Sequence, residues 1–165
     1  MKIFGVVGWK NSGKTGLVER LVTEISARGF SVSTVKHAHH DFDVDQPGRD
    51  SFRHRAAGAE QVMLASANRW ALMTELRDAP EPSLDDLLAQ MSPVDLVLVE
   101  GFKTETHQKL ECHRVVNEKQ LLAQTDPAIC LIASDGDQVL LNKKTLHLDD
   151  TNAIADFVLT QVGLK

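Results

Sequence analysis

Residues 3–21, IFGVVGWKNSGKTGLVERL, decide the fold. Ile3 to Val7 form a short, continuous apolar run rich in Val, which reads as a buried strand. Leu17, Val18, Leu21, Val22 and Ile25 recur at three- and four-residue spacing, predicting an amphipathic helix from about Lys14. Between the two, Gly8-Trp9-Lys10-Asn11-Ser12-Gly13-Lys14-Thr15 fits G-x-x-x-x-G-K-[ST]. Gly8 and Gly13 let the backbone turn so that successive N–H groups, those of Asn11 and Ser12 included, face inward as an anion cradle. The helix presents its free N-terminal N–H groups to the same phosphates. Lys14 reaches the β- and γ-phosphates, and the Thr15 hydroxyl ligates Mg²⁺. A variant of this loop carries a second lysine five residues before the first; here Trp9 holds that place and Lys10 follows it as an uncommitted surface cation.

The rest of the chain continues the alternation. Strands are expected at residues 31–36, 61–64, 70–74, 95–99 and 128–133. Helices are expected at residues 51–59, with Asp50 as a candidate N-cap, after Ser83, and at residues 151–162. In residues 110–116, Leu110 and Cys112 would share one face and Glu111 and His113 the other. The pattern then fades, which suggests an edge strand able to pair between subunits. The fold class is α/β: a P-loop NTPase-like three-layer fold with a largely parallel sheet flanked by helices.

At 165 residues, 42% of them apolar, the chain reads as a single nucleotide-binding domain over residues 1–165. A net charge of −5 argues against nonspecific nucleic-acid or anionic-membrane binding. No apolar run reaches the ~18 residues of a membrane span, and no basic leader precedes one. Cys112 and Cys130 read as buried reduced thiols, and the expected compartment is the cytoplasm.

A phosphate loop needs a carboxylate at the end of a neighbouring strand to hold Mg²⁺ or its water. Glu100, after Asp95-Leu-Val-Leu-Val99, is the first candidate, and Gly101 would let the next peptide approach the γ-phosphate. Asp50 is the second, as a helix cap or a switch-like Mg²⁺ contact. Lys14, Glu100 and Asp50 are thus the candidate catalytic set, and Thr15, Glu100 and Asp50 the metal set. Asp135, after an apolar run, could accept two hydrogen bonds from guanine N1–H and N2–H₂, or simply be a turn aspartate before Gly136. His37, His39 and His40, with Asp41, Asp43 and Asp45, form either a polar loop over the nucleotide or a Zn²⁺ or Ni²⁺ site. The latter would make the chain a metallochaperone-type GTPase; a small-molecule kinase and a pure scaffold are further rivals.

The segments GWKNSGKT, KHAHHDFDVDQPGRDSFRHRAAGA, RWALMTE, DLVLVEGFK and ASD together resemble the molybdopterin-guanine dinucleotide biosynthesis protein B family. The resemblance runs from about Ile3 to the C-terminal helix. It implies a GTP-binding, weakly GTP-hydrolysing homodimer that uses Mg²⁺. Such a protein assists a molybdopterin guanylyltransferase in attaching GMP to molybdopterin, which is itself a further candidate partner. It places Gly13, Lys14 and Thr15 at the phosphates and Mg²⁺, Glu100 and Gly101 at a second acidic motif, Asp50 before the short helix, and Asp135 at the base. Gly16 departs from the family habit of a second Thr, which removes a hydroxyl contact to the α-phosphate.

Overall fold

The computed structural model describes residues 1–38, 43–136 and 141–165. Its packing separates two compact units, residues 1–37 with 92–165 and residues 38–91.

The first unit is built on β1 (Lys2–Gly8), α1 (Lys14–Ala27), β2 (Val32–Lys36), β5 (Leu96–Glu100), β6 (Lys109–His113), β7 (Ile129–Ser134), β8 (Lys144–His147) and α4 (Thr151–Gln161). The six strands form one sheet in the order β2-β5-β1-β6-β7-β8, every neighbouring pair parallel. Side chains alternate across a strand, so Phe4 and Val6 face one side of β1 and Val7 the other. Phe4, Val6, Leu98, Leu110 and Leu131 join Leu17, Leu21 and Ile25 of α1 and Ile154 and Val158 of α4 in the main core. Across the sheet, Val7, Ile129 and Ile132 pack with Ala123 in a short 3₁₀ turn at Leu122–Gln124.

The second unit holds α2 (Asp50–Ala56), the hairpin of β3 (Gln61–Ala65) and β4 (Trp70–Thr74), and α3 (Leu84–Ala89). β3 and β4 are antiparallel, with Val62 opposite Met73, and both of these are buried. Met63, Leu64, Trp70 and Leu72 on the same hairpin are exposed. Arg55 ties the unit together, 2.8 Å from Asp43 and 3.0 Å from Glu75. Ser83 caps α3 in a reciprocal box with Asp86.

Three expectations change. The strand expected at residues 110–116 is not an edge: β6 spans Lys109–His113 and lies between β1 and β7. Lys109 and Glu111 are fully buried. The Lys109 ammonium is 3.1 Å from Asp126 and donates to the carbonyls of Lys103 and Glu105. Glu111 accepts backbone N–H bonds from Leu122 and Ala123, both at 2.9 Å. Internal partners let these charges sit inside the sheet, so the pairing surface proposed there is withdrawn. Secondly, the helix N-cap is Arg49, whose carbonyl accepts from Arg53 N–H at 3.0 Å; Asp50 is the first helical residue. Thirdly, β8, too short and polar to stand out in sequence, closes the far edge.

Candidate phosphate-binding site

The register of the sheet determines what meets at its C-terminal edge. Val6 of β1 pairs with Glu100 of β5, Lys36 of β2 pairs with the same Glu100, and Gly8 pairs with Cys112 of β6. Ligands bind outside the carboxyl ends of such strands, and the loop from Gly8 to Gly13 sits there.

Two glycines are required by geometry. Gly8 has φ +147°, and a methyl group on it would lie 2.5 Å from the Cys112 carbonyl oxygen and from Ser12 Oγ. Gly101 has φ +94°, and a methyl group there would lie 3.0 Å from His37 Cβ. Gly13, with φ +92°, is the N-cap of α1. Ser12 is buried, and among the described residues its Oγ has no hydrogen-bond partner. A buried hydroxyl left without a partner costs about 1–3 kcal/mol, a cost that a bound ligand or water would relieve.

Lys14 curls back over the loop, donating to the carbonyls of Gly8 at 3.1 Å and Trp9 at 2.7 Å. Burial lowers its pKa, nearby Lys36 and Lys103 push the same way, and Cys112 and Glu100 oppose them. Triphosphate would supply the anionic acceptor that two neutral carbonyls stand in for. Thr15 Oγ1 donates to Glu100 Oε1 at 3.2 Å, and the Lys36 ammonium stands 3.4 Å from the same oxygen. Glu100 is buried. A hydroxyl and a carboxylate, with no nitrogen or sulfur donor between them, suit a hard cation such as Mg²⁺.

Asp135 lies just beyond β7. Its Oδ1 accepts the Val115 N–H at 2.8 Å, and its Oδ2 accepts from Arg114 at 3.4 Å. Trp9 is held outward, its indole N–H donating to the Gln120 carbonyl at 2.7 Å beneath the Lys103 ammonium, 4.9 Å from the ring centre. The Gly101 amide donates to the Val6 carbonyl at 3.1 Å, so it serves the sheet. Asp50 belongs to the second unit, where it opens α2.

Gly8, Asn11, Ser12, Gly13, Lys14, Thr15 and Glu100 therefore form one constellation. Sequence reasoning left out Lys36 and Arg114. Both stand at or just past the carboxyl end of a parallel strand, a signal usable only once strand order is known. Of the histidine segment, His37 stacks 4.8 Å from Phe102, and His39, His40 and Asp41 lie outside the described residues. Among the described residues, no group of three His, Cys, Asp or Glu side chains is placed to hold a metal ion. Both cysteines are free; burial pushes the Cys112 thiol up to about 12 and raises that of Cys130.

Comparison with known proteins agrees with this fold. Residues 3–135 match the family model described as molybdopterin guanine dinucleotide synthesis protein B. The molybdopterin-guanine dinucleotide biosynthesis adapter protein of Escherichia coli (strain K12) is 39% identical over 160 residues, covering 95% of this chain and 91% of the relative. The adapter protein of the same description from Haemophilus influenzae is 40% identical over 159 residues, covering 94% and 86%. The crystal structure of a MobB protein homolog from Bacillus stearothermophilus superposes with a TM-score of 0.76 at 28% identity, covering 100% of both chains. That of Bacillus subtilis MobB gives 0.76 at 26% identity, covering 98% of both. The chain belongs to the molybdopterin guanine dinucleotide synthesis protein B family.

Proposed function

We propose that this chain is an adapter of molybdopterin guanine dinucleotide biosynthesis that works by binding GTP with Mg²⁺ at the β1–α1 loop and hydrolysing it slowly. The observation that carries the reading is the buried Ser12 hydroxyl, unpartnered among the described residues, set in a glycine loop at the N-terminus of α1 with Lys14 beside it. In this reading the loop amides and Ser12 hold the β-phosphate, and Lys14 exchanges its carbonyl partners for phosphate oxygens. Thr15 and Glu100 hold the cation or its water. Mg²⁺, when bound, would neutralise part of the phosphate charge. Lys36, already beside Glu100, adds a second positive charge at the same end. Asp135 reads guanine. Without an arginine supplied by a partner, turnover on the order of 10⁻⁴–10⁻² s⁻¹ is expected.

The partner is a nucleotidyltransferase that attaches GMP to molybdopterin, and the working form is a homodimer in the cytoplasm. The exposed apolar residues of the β3–β4 hairpin support self-association, and among the described residues no helix is long and apolar enough to cross a membrane.

Trp9 reports on its own loop. In a Trp70→Phe background, Mg·GTP should change its emission saturably, and Mg·ATP should not at the same concentrations. Guanylyl transfer to molybdopterin by the partner enzyme should then rise on adding this chain with GTP, and not with the Lys14→Ala variant. Equal stimulation by Lys14→Ala would leave a scaffold in place of a nucleotide-driven adapter.

A further inference from the structure

Arg114 is the first residue past β6, two positions beyond Cys112, which pairs with Gly8. Its guanidinium lies between two parts of the crevice. On one side is the start of α1: a methyl group on Gly13 would lie 3.4 Å from Arg114 Nε and 3.5 Å from one of its terminal nitrogens. On the other is Asp135, whose Oδ2 accepts from Arg114 Nη1 at 3.4 Å while the next backbone N–H, that of Val115, holds Oδ1 at 2.8 Å. The two ends of one dipeptide thus grip both oxygens of a single carboxylate. Arg114 is 41% exposed along its side chain and Asp135 27%, so the pair opens to the crevice and retains lone pairs for a ligand.

We propose that Arg114 is a positioning residue that sets Asp135 for the base and couples base reading to phosphate binding. This rests on the proposed GTP site and deepens it. A carboxylate that accepts two donors from a purine edge discriminates only when its plane is fixed, because a free rotor accommodates more than one donor pattern. Val115 N–H and Arg114 fix that plane from two sides. The planar guanidinium fork also faces the α1 N-terminus, so anything that draws Arg114 toward bound phosphate alters the hold on Asp135. Lysine offers neither the fork nor its geometry.

The test is titration calorimetry of GTP and XTP, each with Mg²⁺, into wild type, Arg114→Ala, Arg114→Lys, Asp135→Asn and the Arg114→Ala/Asp135→Asn double variant. Arg114→Ala is expected to weaken GTP about tenfold, the scale of one charge-assisted hydrogen bond, and to reduce the preference for GTP over XTP. Arg114→Lys should restore part of the affinity and little of the preference. The double variant should show the same GTP-over-XTP preference as Asp135→Asn alone, since Arg114 sets that preference through Asp135. Unchanged GTP-over-XTP preference in Arg114→Ala, or effects that simply add in the double variant, overturns the proposal and leaves the GTP site standing. Absence of GTP binding by wild type overturns both.

Discussion

Two glutamates flank β1, and they lead opposite lives. Glu100, paired in register with Val6, and Glu111, paired with Val7, are both buried. Glu111 is sealed inside the sheet and bonded to two backbone amides in the Leu122–Gln124 turn. Those amides are the first two of the turn, so the carboxylate is a structural clamp. Glu100 closes its strand at the open edge and is held by a threonine hydroxyl and a lysine ammonium, both side chains that can turn away when a cation arrives. The same residue type, one strand apart, is fixed by backbone in one case and poised by side chains in the other. Burial alone does not mark a functional acid; the replaceability of its partners does.

The largest effect should come from breaking the clamp. Glu111→Ala leaves two buried amide N–H groups without acceptors and should cost about 3 kcal/mol of folding stability, read from urea denaturation. The protein that remains folded should still bind nucleotide. Next comes Glu100→Gln, expected to lower Mg²⁺-dependent GTP affinity about tenfold, roughly 1.4 kcal/mol, while costing less stability than Glu111→Ala. A large stability loss in Glu100→Gln would erase the contrast between the two acids.

The pH dependence sharpens the contrast further. Burial raises the Glu111 carboxyl above its usual range, against the pull of its two amides. The folded chain therefore holds that proton more tightly than the unfolded chain does. The associated stability is fully present below the ordinary carboxylate pKa, is lost as pH rises through the raised folded value, and is flat above it. Denaturation across that window should show the decline in wild type and a shallower one in Glu111→Gln. The smallest effect is reserved for Lys36→Met. That ammonium is largely exposed, so removing it should change stability by no more than ~0.5 kcal/mol. Slower single-turnover GTP hydrolysis in the same variant would show that Lys36 serves the phosphates and not the fold.

The contrast also explains what could be read from the residue order alone. The β1–α1 loop, the strand ending at Glu100 and the Ser83 cap were legible because each is local: a run, a turn and a periodic face within some twenty residues. β6 was read as an edge strand because its alternation fades after His113, and the partners that make Lys109 and Glu111 interior, the Asp126 carboxylate, two loop carbonyls and two turn amides, come from the loops on either side of the strand. Arg114 and Lys36 were missed for a related reason. Their relevance follows from β6 lying beside β1 and β2 lying beside β5, and strand order is a nonlocal property. Asp135 was visible as an acid at a strand end, but its grip by Arg114 and Val115 was not.

Titration calorimetry of Mg·GTP against wild type and Lys14→Ala tests the central claim most directly. Removing charge-assisted phosphate bonds worth roughly 1.5–3 kcal/mol should weaken binding at least tenfold, with wild type saturating at one nucleotide per chain. Equal affinity in the two proteins, or no heat from wild type, would contradict a triphosphate held by the β1–α1 loop.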